Sequence, residues 1–541
     1  MLDLKIIGGS IVDGTGAPAY KGDVGVEGDK IVAIGDLSDV EAKKVIDATG
    51  KFVTPGFIDM HTHSDYSLVV SRDASARLYD GVTTDVIGNC GIGIAPVSDA
   101  HKADLIKYLG SRLVGSLPVE IKLPWKTMND YLTYLEENNP AVNVAPLAAQ
   151  GAIRIHEMGF AQGRATAKQM ANMKAALKEA MDAGCIGMSS GLIYMPGEYS
   201  STDELAELCE VLTDYDSYYV THMRNEGTFI WEAIDEAVAI AKHANIRLHI
   251  SHLKLMGSDV AGQMDKLFAR LDKARTEVKG LVYDAYPFTS GCTSLGATLP
   301  PWMFEGGMEK LLERLTHKEI REQCKHDCIN GLGGWQNVYR VTGGWPGITI
   351  ATCSGKENEY ALGRRVNELA EEAGMDPFDW AYDYMIANQG RVQVIVDIMK
   401  KEDVDYVVSR PETMIGSDSM SLAETGVLGS GRPHPRAFST HSIILQDFVK
   451  KNKMFSFETA INKFTKLAAD HLRLDRRGEV KEGYYADLVV VDFDNVKANS
   501  TYTDPLHYST GFDVVVVNGK VALENGVETK DYAGRVLRHG K

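Results

Sequence analysis

The 541-residue chain holds no apolar run long enough to cross a bilayer and no excess of basic residues. Its 57 Lys+Arg stand against 74 Asp+Glu, a formal net charge of −17, which works against binding to nucleic acid or to an anionic membrane surface. A local basic cluster in such a chain reads as a site rather than a surface. The opening segment MLDLKIIGGSIVDG lacks the basic-then-apolar pattern of a secretory leader, so a soluble, cytoplasmic protein is expected. Cysteine is sparse as well. The seven (Cys90, Cys185, Cys209, Cys292, Cys324, Cys328, Cys353) are odd in number and scattered, which excludes a disulfide framework and fits a reducing compartment. CKHDC, with Cys324, His326 and Cys328, has no second ligand pair at zinc-finger spacing and reads as part of a charged surface helix. Internal repeats and low-complexity tracts are also missing.

Residues 1–56 hold short alternating runs separated by Gly and Asp, and 476–541 repeat that character in ADLVVVDF and DVVVVNGKVALENG. One composite β-sandwich domain built from both termini is expected. Between them, over 57–475, β-type runs alternate with helical stretches such as TAKQMANMKAALKEAMDAG, the pattern of repeated βα units. Eight candidate strands, at about 57–63, 83–90, 142–148, 185–191, 218–224, 246–254, 280–287 and 413–418, imply a TIM-like (β/α)8 barrel. The gap before the eighth is too long for one helix and loop. An inserted sub-domain at about 288–346 is expected there, with GGWQNVYRVTGGW and ITIATC as its strands.

Several of these strands end in residues able to bind a metal: GFIDMHTHSD (His61, His63), TTDVIGNCG (Cys90), YYVTHMRNEG (His222) and LHISHLK (His252). Side chains two apart on a strand share a face, roughly 6 to 7 Å apart, so Asp59, His61 and His63 are expected to point together into the barrel. The same count aligns His222 with Arg224 and His252 with Lys254, and puts His249 on the opposite face in a packing role. The C-terminal strand ends form the active face of such barrels, where all these residues fall. Imidazole and thiolate suit zinc, and a catalytic zinc site keeps one position for water, whose pKa it lowers to about 7. Cys90 lies in a turn of small residues; its plainer reading is an inert buried thiol. Asp418, in MIGSDS, is placed to take the proton of that water and return it to a departing amine; otherwise it is a helix cap. Arg224 and Lys254 offer cations to a substrate carboxylate, unless Lys254 pairs with a rim acid such as Glu226. Candidate strands NVAPLAA and CIGMSSGL carry no lysine to bridge two metals, which leaves Cys90 as the best bridging candidate.

GFIDMHTHSD, GNCGIGIAP, THMRNEG, SHLK, MIGSDS and GLIYMPG together resemble the site motifs of the amidohydrolase superfamily, in its D-aminoacylase (N-acyl-D-amino-acid deacylase) branch. EGYYADLVVVDFD is similar to the superfamily's closing β-segment, so the likeness runs over nearly the whole chain. The resemblance implies a tight zinc on Cys90, His222 and His252, and a weaker second position on His61 and His63 with Cys90. It also implies Asp418 as catalytic acid/base, and Arg224, Lys254, Tyr194 and Tyr286 as substrate contacts. The chain departs from the branch at Leu253, where SHHK is common, and at Cys292, near a position used for a serine contact. The implied activity is hydrolysis of N-acyl-D-amino acids. A dipeptidase on L-Xaa-D-Xaa or a cyclic-amide hydrolase of the hydantoinase or dihydroorotase type are the alternatives. Residues 286–303 carry no charge, which favours a neutral or apolar D-side chain if this loop walls the side-chain pocket.

Overall fold

The computed structural model describes residues 1–114, 117 and 119–540. Eight parallel strands close into a barrel. They are Phe57–Asp59, Val82–Ile87, Asn143–Pro146 continued by Ala148–Ala149, Met188–Gly191, Tyr218–His222, Arg247–Ile250, Leu281–Ala285 and Met414–Ile415. Neighbours pair in parallel register, for example Val220 with His249 and His249 with Val282. Closure comes from Met60 N donating to Ile415 O (3.0 Å) and from a bridge between Thr62 and Ser419. The strands Val82–Ile87 and Tyr218–His222 are buried at every position, because helices cover the barrel outside while side chains fill it. Inside, Ile58, Val86, Ala145, Ile186, Val220 and Met414 form one apolar cluster. The helix Lys466–Leu472 joins that cluster through Ala468, Ala469 and Leu472.

Strands from both ends of the chain share one seven-stranded sheet. Leu488–Val491 lies antiparallel to Phe52–Pro55 on one side and to Phe512–Val517 on the other. A four-stranded sheet around Leu2–Ile7 stacks on it. Leu488 and Val490 enter the core between the two sheets, while Val489 and Val491 join the barrel's core. A strand with both faces covered has no solvent side, which explains the unbroken LVVV.

The insert between the seventh and eighth barrel strands extends beyond residue 346. Its sheet consists of Ser290–Ser294, Ile348–Thr352 and Gln393–Asp397, with the last in the centre. ITIATC is a strand as expected, but GGWQNVYRVTGGW folds as the short helix Val338–Val341 between turns. Asn337 caps that helix through its side chain, which accepts from Arg340 N, and the glycine pairs on either side suit turns rather than a ladder.

Candidate metal-dependent active site

The C-terminal strand ends deliver the expected ligands to one place, mostly through turns rather than along the strands. His222 is the last residue of its strand; Cys90 and His252 lie beyond theirs, with φ of 53° and 36°. Asp418, past the eighth strand, has φ of 51°. Left-handed backbone at non-glycine residues costs on the order of 1–3 kcal/mol each and persists only where surroundings enforce it. Around Cys90 the enforcement is steric. A Cβ on Gly191 would collide with the Cys90 carbonyl, and one on Gly91 would meet the Gly191 backbone nitrogen.

Cys90 Sγ lies 3.7 Å from His222 Nδ1, 3.4 Å from His252 Nε2 and 3.2 Å from His61 Nε2, all deeply buried. A tetrahedral zinc, with Zn–S of about 2.3 Å and Zn–N of about 2.0–2.1 Å, needs S···N edges of roughly 3.6 Å. The first two separations fit. His222 Nε2 is buried without a hydrogen bond. His61, Cys90, His252 and Asp418 form a further close group, with His61 Nε2 3.6 Å from Asp418 Oδ1. His63 Nε2 lies 3.1 Å from the same oxygen. Cys90 thus stands between two ligand groups, as a bridging ligand would.

Two carboxylates that sequence reading did not assign to the site hold these rings. Glu226 Oε1 lies 3.0 Å from His252 Nδ1 and accepts from Lys254 Nζ at 2.7 Å, while its Oε2 is 3.4 Å from His222 Nε2. Asp284 Oδ2 lies 3.5 Å from His61 Nδ1 and 2.7 Å from His249 Nε2, and Asp284 Oδ1 accepts from His252 N at 3.0 Å. Such partners fix the tautomer and direction of metal-binding imidazoles. The signal for Asp284 was a lone acid in the apolar run LVYDA. His249 is not on the opposite face: it pairs with interior Val220 and supports Asp284. Counting by twos fails because the chain leaves the strand after Ile250. Asp59 grips backbone rather than a ring, accepting from Ser417 N (2.8 Å) and His61 N (3.3 Å).

At Cys90, Asp418, Glu226 and His63 charges and hydrogen bonds outweigh burial, whereas at His222 burial prevails and lowers the pKa. Burial disfavours the Cys90 thiolate, yet His61 and His252, with hydrogen bonds from His222 and His252, hold its pKa well below the ordinary thiol value. Burial also disfavours the Asp418 carboxylate, but Arg436, His252 and a hydrogen bond with His63 keep it well below the usual range. Glu226 is likewise drawn down to about 2, with Lys254 foremost against its burial. Despite burial, hydrogen bonds to Asp418 and Cys90 raise His63 to about 9.

The predicted substrate cations part company. Arg224 turns away, bonding Glu236 at 2.9 and 3.0 Å and the carbonyls of Glu198 and Ser200 at 2.8 Å each. Its strand ends at His222, so the two-residue count no longer aims it inward. Lys254 is held by Glu226 and lies 2.8 Å from His252 Nδ1. The arginine that meets Asp418 is Arg436, whose Nη1 is 2.9 Å from Asp418 Oδ2, whose Nη2 donates to the Cys292 carbonyl at 3.4 Å and whose Nε makes no hydrogen bond among the described residues. It lies in PHPRAF, a loop-to-helix segment whose lack of periodicity hid it. Tyr286 presents its ring to Arg436 (4.8 Å) and Lys254 (5.7 Å). Tyr194 and Arg436 line one cavity with His63, Asp418 and Arg112.

The amidohydrolase family profile matches residues 44–523. D-aminoacylase of Alcaligenes xylosoxydans xylosoxydans is 32% identical over 538 residues, covering 99% of this chain and 97% of that protein. A solved D-aminoacylase, described as having a binuclear metal centre with one-metal activation and second-metal attenuation, superposes with a TM-score of 0.81 at 33% identity. That match covers 99% of this chain and 100% of the other. The N-acyl-D-glutamate deacylase of Bordetella bronchiseptica, solved with zinc and a phosphonate mimic of the tetrahedral intermediate, gives 0.81 at 28% identity, covering 99% of each. The chain belongs to the amidohydrolase family, in its D-aminoacylase branch.

Proposed function

We propose that this chain hydrolyses N-acyl-D-amino acids, releasing a carboxylate and a free D-amino acid, with zinc held by Cys90, His222 and His252. The observation that carries this reading is the convergence of Cys90 Sγ, His222 Nδ1 and His252 Nε2 beside a single ionised carboxylate, Asp418. His61 and His63, with Cys90, make a second, weaker position. The zinc supplies Lewis acidity toward the amide carbonyl and toward water. Asp418, ionised at neutrality, accepts the proton of the attacking water at a carboxylate oxygen and returns it to the departing nitrogen. His63, hydrogen-bonded to that carboxylate, orients it. Arg436 takes the substrate α-carboxylate through its Nε, which has no hydrogen bond among the described residues, and through Nη2, whose bond to the Cys292 carbonyl is a long 3.4 Å, while Tyr286 packs against the guanidinium. Tyr194 and Lys254 complete the surroundings, Lys254 by holding Glu226 against the ligand rings.

A small-molecule substrate in the cytoplasm, without nucleic acid or membrane partners, belongs to the same reading. Its supports are the acidic balance, seven unpaired cysteines and the lack, among described residues, of any helix long and apolar enough to span a membrane. The test is turnover of paired N-acetyl-D- and N-acetyl-L-amino acids, with zinc analysis on the same sample. The D-series is cleaved and the L-series is not. Asp418→Asn lowers kcat by about 10²–10⁴-fold while zinc is retained. Cleavage confined to the L-series, or full activity in Asp418→Asn, would refute the reading.

A further inference from the structure

Five arginines are buried among the described residues, and four meet carboxylates. Arg77 pairs with Asp59 and Asp85, Arg154 with Glu204, Arg436 with Asp418 and Arg477 with Asp487. Arg112 alone has no acidic partner among the described residues, and the undescribed positions nearest it in sequence are Gly115, Ser116 and Pro118. Its guanidinium lies 4.2 Å from the centre of the Tyr194 ring and, among the described residues, makes one hydrogen bond, from Nη1 to Ser294 Oγ at 2.8 Å. The wall around it is polar and neutral, with Thr293, Ser294 and Gln393, and it opens into the cavity that holds Asp418 and Arg436. Burying an uncompensated cation is costly, and the fold compensates every other buried arginine. A ligand anion removes that cost.

We propose that Arg112 forms a second anion subsite in the substrate cavity, so that the preferred substrates carry a second carboxylate, on the D-side chain or at the end of the acyl group. The proposal rests on the deacylase reading and refines its substrate class. The uncharged stretch 286–303 does contribute Cys292, Thr293 and Ser294 to the cavity wall, but the charge comes from a different part of the chain, Gly110–Val114. Arg436 serves the α-carboxylate beside Asp418, and Arg112, lying over the Tyr194 ring, serves the second one.

Two substrate pairs test this on the zinc-loaded enzyme: N-acetyl-D-Glu against N-acetyl-D-Gln, and N-succinyl-D-Leu against its succinamoyl counterpart. Each pair exchanges a carboxylate for a carboxamide of similar shape. In one pair the carboxylate is favoured in kcat/KM by about tenfold or more, and which pair it is identifies where the anion sits. Arg112→Met collapses that ratio toward unity at unchanged zinc content, and Arg112→Lys keeps part of it. Carboxamides cleaved as well as carboxylates in both pairs would overturn the proposal. So would an Arg112→Met enzyme that loses equal proportions on both members, which is the mark of a residue that merely props Tyr194. Should the Met variant fail to fold, the wild-type ratios decide alone. Cleavage of none of the four compounds, nor of N-acetyl-D-Met, would sink the deacylase reading itself.

Discussion

Arg224 and Arg436 have the same side chain and opposite assignments. Arg224 spends its donors on Glu236 and two carbonyls, so its loss leaves a half-buried structural contact unmade. Arg436 leaves its Nε without a hydrogen bond among the described residues, beside Asp418, and its Nη2 makes only a long bond of 3.4 Å to the Cys292 carbonyl. Arg436→Gln is therefore expected to raise KM for an N-acyl-D-amino acid by about 10–100-fold, whereas Arg224→Gln lowers the unfolding temperature with a much smaller change in KM. Steady-state kinetics and thermal melts on the two variants check this, and the reverse pattern would restore Arg224 to the substrate. The contrast also marks what the sequence could tell at this scale. Residue type and strand-end position were enough to anticipate that Cys90, His222, His252 and Asp418 come together. Direction was legible only while the chain remained a strand. Past Asp59, His222 and Ile250 the backbone turns, and with it went the aim of Arg224 and the face of His249.

Elements were legible where burial is continuous and obscure where pairing is distant. Runs such as VTTDVI and YYVTH announce barrel strands by composition. The insert's central strand, Gln393–Asp397, pairs with Ser290–Ser294 across about a hundred residues, and no local pattern gives that. One element carries a measurable charge cost. Lys463, on the helix Phe457–Phe464, is fully buried and donates to the Arg410 carbonyl; burial pushes its pKa down to about 7, against a weak opposing pull from Glu412. An unfolded lysine titrates near 10.4, so between about pH 7 and that value the unfolded chain binds the extra proton and stability rises with pH. The slope from this group is up to about 1.4 kcal/mol per pH unit. Lys463→Met is expected to be more stable than wild type at pH 7, with the gap shrinking toward pH 10. Thermal midpoints of both proteins across that range would show it, and parallel curves would rule it out.

At the scale of the whole molecule, the candidate metal ligands and the Asp418 carboxylate beside them come from strand ends far apart in the chain, from His61 to Asp418. His61, Cys90, His222 and His252 all lie inside a barrel whose lower half is an apolar cluster plugged by Ala468, Ala469 and Leu472. The upper half is instead a set of rings, a thiol and three acids compressed together, held by mutual hydrogen bonds. A divalent cation would replace those contacts with bonds that tie several staves of the barrel at once. Because only the folded chain brings the donors together, binding free energy becomes folding free energy. Chelated protein is therefore expected to melt lower than zinc-loaded protein, by an amount that grows with free zinc, about 2.7 kcal/mol at a hundredfold excess over Kd. Cys90→Ala should abolish that zinc-dependent increment, whereas Arg436→Gln should keep it while its KM rises. A zinc-dependent rise in melting temperature that survives in Cys90→Ala would mean that the thiolate is not the shared ligand.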